Sequence, residues 1–121
     1  MSMNLGRVLG LLTVALILGV GQLFFKIAAE RLVIGQGWMP FARSLVGWPM
    51  ASVLTLYAAA TVLWVYLLHG VPLNRAYPFI AFVFAVVPVL SWIVFREALD
   101  ARYGVGLLLM MAGIYLIGAP R

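Results

Sequence analysis

Four long apolar runs separated by short polar breaks organise this chain. The first extends from Leu5 to about Ala29, and its only charged or amide side chains are Arg7, Gln22 and Lys26. From Val8 to Phe25 no charge intervenes. That is longer than the ~7–15 apolar residues of a secretory signal, so a retained helix is predicted. The second run spans about Pro49 to Leu68, with proline where a helix start tolerates it and His69-Gly70 and Pro72 as a stop. The third runs from about Arg75 to Phe95. Pro78 falls in its first turn, and Pro88 cannot donate to the carbonyl of Phe84, which predicts a kink there. The fourth covers about Ala101 to Ala119, with Asp100 placed to cap it. Each run matches the ~20 residues that cross a bilayer as a helix.

Between the first two runs the character changes, with Arg31, Gly35, Gly37, Pro40 and Arg43 interrupting. Trp38, Phe41, Ala42 and Leu45 recur at helical spacing opposite Arg43 and Ser44. This predicts a short helix lying in the membrane surface, the alternative being a plain loop.

Composition turns these runs into a fold class. Of 121 residues, 66% are hydrophobic and 9% charged, and the mean hydropathy is +1.15. A soluble domain carries about 25% charged residues, because its surface must face water. The expectation is a single domain over 1–121, an all-α membrane protein of four transmembrane helices with a short interfacial helix between the first and second. The formal charge of +5 is spread along the chain. It suits headgroup anchoring and attraction for an anionic substrate, and nothing in it suggests nucleic acid. With no cysteine, one histidine (His69) and three carboxylates (Glu30, Glu97, Asp100), neither a metal cage nor a cofactor is expected. The hydroxyls of Ser52, Thr55, Thr61 and Ser91 have no neighbouring base in sequence to activate them, so no enzyme is expected.

Short connections predict consecutive helices packed as antiparallel neighbours, and an even number of spans puts both termini on one side. That side carries Arg7, Arg75 and Arg121, while the other carries Lys26, Arg31, Arg43, Arg96 and Arg102. The bias mildly favours external termini. Small residues mark candidate helix contacts: Gly6 with Gly10, Ala15 with Gly19, Ala81 with Ala85, and Gly106 with Gly113. Gln22, Lys26 and Glu30, spaced by four, form a polar stripe on the first helix. Its functional reading is a track for a lipid phosphate with Lys26 as counter-charge; its bland reading is an anchoring lysine. Arg75 and Tyr77, at the other side, suit a phosphate and a sugar, or simply the interface. Glu97, between Arg96 and Arg102, is read as a structural salt link. His69 is read as a helix-end residue.

Three segments carry a resemblance that covers most of the chain. They are Gly21-Gln22-Leu23-Phe24-Phe25-Lys26; Val71 to Pro78, continuing to Ser91-Trp92 and Glu97-Ala98-Leu99-Asp100; and Gly106 to Ile114. On these the chain resembles the small four-helix branch of the drug/metabolite transporter superfamily, small multidrug resistance-like and EamA-like. Exporters in that branch hold a membrane-embedded glutamate midway along the first helix, and alignment on Lys26 puts Leu18 there. The resemblance is therefore to the flippase subunits that move undecaprenyl-phosphate-linked aminoarabinose across the bacterial inner membrane. It implies a lipid-linked sugar as substrate, Lys26, Gln22, Arg75 and Tyr77 as substrate-binding residues, and a homodimer or heterodimer with a similar small subunit. The run from Gly106 to Gly113 is similar to the family's dimerisation segment. The alternatives are an exporter of small cations and a scaffold for a membrane glycosyltransferase.

Overall fold

A computed structural model describes residues 4–118, among which only helices and their connections occur. The helices are α1 (Leu5–Glu30), α2 (Trp38–Leu45), α3 (Trp48–Leu68), α4 (Leu73–Ala76), α5 (Val83–Phe95) and α6 (Ala101–Gly118), with a 3-10 segment over Tyr77–Phe82. Four spans are long and apolar enough to cross a membrane: α1, α3, the stretch Leu73–Phe95, and α6. The expected ends of the fourth span at Ala119 and of the terminal charge at Arg121 lie outside the described residues.

Local chemistry accounts for most boundaries. The Asn4 side chain accepts the Arg7 N–H at 2.8 Å and so caps α1. Gly35 (φ 87°) and Gly37 (φ 97°) take backbone conformations that side chains disfavour, which ends the α1 connection and opens α2. The Ser44 hydroxyl ties this connection down: it accepts the Val33 N–H at 3.0 Å and donates to the Phe41 carbonyl at 2.7 Å. The short helix expected between the first two spans is thus formed, with Trp38 and Phe41 exposed on it. Asp100 caps α6 through the Tyr103 N–H at 2.7 Å. Replacing Asp100 with alanine should cost about 1 kcal/mol of stability. Thermal unfolding in detergent micelles reads this, and an unchanged midpoint would sink the capping role.

The third span departs from expectation in two respects. It begins at Leu73, so Pro78 lies inside it, and there the α geometry gives way to six residues of 3-10 helix. Pro78 has no N–H to offer the Asn74 carbonyl, so the ordinary α ladder is broken at that point. Pro88, where a kink is expected, lies inside α5, which continues through it to Phe95.

The second difference concerns packing order. The two consecutive spans α3 and α5 pack mainly on α1 and not on each other. Three α1 glycines explain why. A Cβ on Gly10 would lie 2.7 Å from Leu67, and one on Gly21 would lie 2.5 Å from the Tyr57 ring, both on α3. A Cβ on Gly19 would lie 2.6 Å from Val86 of α5. Gly19 and Gly21 are about 200° apart on a helix of 3.6 residues per turn, so α1 is pressed from nearly opposite sides. Gly10 and Gly19 behave as expected for small contact residues, whereas Gly6 meets only Asn4. Arg7 adds a polar lock between the same helices. Its Nη1 donates at 2.7 Å to the Leu67 carbonyl, an orphan acceptor near the end of α3.

Span four packs on the third span, chiefly at its 3-10 segment. None of the residues of α6 is buried, and a Cβ on Gly106 or Gly113 would meet open space.

Candidate functional site: a groove floored by the first helix

Because α3 and α5 flank α1 without a seam of their own, they leave a groove with α1 as its floor. At about 100° per residue, Leu18 and Gln22 face the gap between Gly21 and Gly19, with Lys26 close to the α5 flank. One end of the groove is closed. Leu11, Val14, Ala60, Leu67 and Ala76 form a buried apolar cluster there, and the Trp64 and Tyr77 rings meet edge to face at 6.3 Å. Beside this plug lies a cleft of roughly 180 Å³ lined by Val14, Leu18, Ala60, Thr61, Trp64, Tyr77 and Ile80. Its wall is apolar, and the one hydroxyl among these aliphatic positions, Thr61, donates to its own helix at the Tyr57 carbonyl (2.7 Å). Leu18 occupies the place where the resemblance would put a carboxylate.

One turn beyond Leu18 the groove becomes polar. Gln22 Nε2 donates to the Tyr57 hydroxyl at 2.8 Å, and Phe25 packs its ring edge to face on Tyr57 at 5.4 Å. A phenol that accepts one hydrogen bond keeps its own O–H to donate. Gln22, Phe25 and the bare face of Gly21 therefore hold the Tyr57 hydroxyl in one position with a donor to spare. Tyr57 was not singled out in the sequence. The only signal was Gly21, whose missing side chain makes the room, four residues from a second aromatic.

Lys26 lies a further turn out, about 12 Å of helix rise from Leu18. Its ammonium is 3.6 Å from Glu30, with the two side chains 47% and 63% exposed. This is the pair the spacing predicted. An exposed i,i+4 pair contributes on the order of 0.3–0.5 kcal/mol, so both charges are available to a ligand at little cost. The rise from Arg7 to Lys26 is about 28 Å, close to the ~30 Å hydrocarbon thickness. Lys26 is therefore at the opposite interface from Arg7, where its stem can snorkel.

The four substrate-binding candidates are not one cluster. Gln22 and Lys26 share the open end of the groove, whereas Tyr77 belongs to the closed end and Arg75 is on α4 just before it. Glu97 is a correction. The Ser91 hydroxyl donates to its carboxylate, the chain having turned back at Arg96 in a left-handed conformation (φ 57°). Neither Arg96 nor Arg102 forms an ion pair with Glu97 among the described residues. The short loop brings the buried serine within reach first, and the arginines stay outside.

On the other flank of the α1–α3 seam, Arg31 stacks over Trp48 at 5.1 Å and Phe24 meets the same ring edge to face at 6.0 Å. These rings fix the interfacial ends of both helices.

Neither a family model nor a solved structure matches the chain. Curated relatives do. A protein of Pseudomonas aeruginosa is 38% identical over 110 residues, 89% of this chain and 93% of its own length. One of Pectobacterium atrosepticum is 36% identical over 107 residues (86% and 90%), and one of Salmonella enteritidis 32% over 110 residues (90% and 95%). All three are described as "probable 4-amino-4-deoxy-L-arabinose-phosphoundecaprenol flippase subunit ArnE".

Proposed function

The chain belongs to the family of these aminoarabinose-phosphoundecaprenol flippase subunits, and from that premise we propose that it is one subunit of a flippase for a polyprenyl-phosphate-linked sugar in the bacterial inner membrane. It acts as a transporter subunit and not as a catalyst. The carrying observation is the groove on α1, which is apolar beside Leu18 and Trp64 and polar at Gln22, Tyr57 and Lys26. A lipid-linked sugar needs that sequence of surfaces. Its phosphate must find a cation and hydrogen-bond donors, while its tail stays in lipid.

Lys26 supplies the cation and the Tyr57 hydroxyl the neutral donor, with Gln22 positioning that hydroxyl. Arg75 and Tyr77 stand at the other membrane face, where the phosphate would arrive after crossing. The exposed α6 supports assembly with a second small subunit, the same or similar, because four helices leave one side of the path open to lipid.

The test is translocation of a fluorescent polyprenyl-phosphate sugar in vesicles reconstituted with the chain and its partner subunit. Accessibility of the sugar to an added membrane-impermeant oxidant measures crossing. No acceleration over empty vesicles would end the proposal.

The cation-exporter reading makes the opposite demand. Leu18 leaves no carboxylate within the cleft to exchange drug for protons. Overexpression should therefore confer no ethidium resistance. Resistance that an uncoupler abolishes would reverse this ranking.

A further inference from the structure

The chain has three carboxylates, and the structure uses two of them internally. Asp100 accepts the Tyr103 N–H to cap α6, and Glu97 accepts the Ser91 hydroxyl at the end of α5. Glu30 is different. Among the described residues its one ion-pair partner is Lys26 at 3.6 Å, both side chains are well exposed, and both lie beyond Gln22 on α1. A negative charge beside a phosphate-binding lysine is a poor arrangement for a simple anion, since it cancels the attraction Lys26 offers. It is a good arrangement for a headgroup that carries both signs.

The sugar named for the relatives, 4-amino-4-deoxy-L-arabinose, is such a headgroup. Its amine is protonated at neutral pH, and its anomeric carbon carries a phosphate. We propose that Glu30 is a specificity residue that receives the sugar ammonium while Lys26 receives the phosphate, so that the free protein's ion pair is exchanged for two ion pairs with the substrate. This rests on the flippase reading above and goes beyond it in assigning Glu30 the part of the headgroup that carries positive charge. The exchange conserves charge: each protein charge loses one partner and gains another. A neutral sugar phosphate would break the Lys26–Glu30 pair without giving Glu30 anything in return, so it is disfavoured.

The experiment compares two lipids in the same vesicles, the polyprenyl-phosphate aminoarabinose and its N-acetylated derivative, in which the amine is neutral. The wild-type flippase should prefer the free amine by about tenfold, the low end of what a charge-assisted hydrogen bond confers. In Glu30→Gln that ratio should fall to about one, and Glu30→Asp should keep part of it. The ratio is internal to each preparation, so poor folding or insertion does not imitate the result. Wild-type transport of the amine with an unchanged ratio in Glu30→Gln would overturn the role of Glu30 and leave the flippase reading standing. Equal loss of both substrates in Glu30→Gln would assign Glu30 to holding Lys26, again overturning the inference. Transport of neither lipid by the wild type would remove both readings together.

Discussion

Lys26→Ala should abolish translocation of the polyprenyl-phosphate sugar while expression and assembly stay normal. The lysine sits near the end of α1, about half exposed, and among the described residues its one ion pair is the weak surface pair with Glu30. Its removal therefore costs little stability, and what is lost is the counter-charge for a phosphate leaving water. Lys26→Arg should retain part of the activity, because the charge survives although its fork and hydration differ. Gln22→Ala and Tyr57→Phe should be milder, a neutral hydrogen bond contributing about 0.5–1.5 kcal/mol against 1.5–3 for a charged one. An anchoring lysine predicts another pattern: near-normal transport in all four variants, with any loss appearing as poor insertion. Flux per folded protein in vesicles separates the two. Full activity in Lys26→Ala would retire it as a binding residue.

The second large effect concerns glycines, and it divides them into two classes. Gly19→Leu and Gly21→Leu should prevent the bundle from forming, since even a Cβ there would intrude on Val86 or the Tyr57 ring. Alanine at either position should already cost about 1–3 kcal/mol, the usual range for overpacking. Gly106→Leu and Gly113→Leu should leave the monomer as stable as before, because nothing lies within 4 Å of a Cβ at either site. Their expected effect is on association through α6, read by crosslinking in native membranes. Unchanged crosslinking in both α6 variants, or normal folding of Gly19→Leu, would refute the corresponding half.

The spans were legible because lipid imposes a strong, one-dimensional rule: about 20 apolar residues, ended by glycine, proline or charge. Asp100 and the Lys26–Glu30 pair were legible for a similar reason, since both depend on spacing within one helix. What escaped depends on which helices meet. Nothing in the local sequence shows Tyr57 reaching Gln22 across 35 residues, or Arg7 reaching the Leu67 carbonyl across 60. Short connections argued for α3 beside the third span. Bare glycine faces on α1 accept both helices, and this close approach overrides chain order. Glu97 was misread because the two flanking arginines in sequence are conspicuous, while a buried serine six residues earlier is not.

If the six 3-10 residues at Tyr77–Phe82 rewound, they would work as a screw thread. A 3-10 helix advances about 2.0 Å and 120° per residue, against 1.5 Å and 100° for an α-helix. Relaxing all six to α geometry would shorten the span by about 3 Å and turn everything beyond it by about 120°. Tyr77 is the first residue of that thread and Ser91 and Glu97 lie past its end. A modest rewinding at one membrane face would therefore arrive at the other as a third of a revolution. Val86 would then be turned away from Gly19, its place of closest approach to α1.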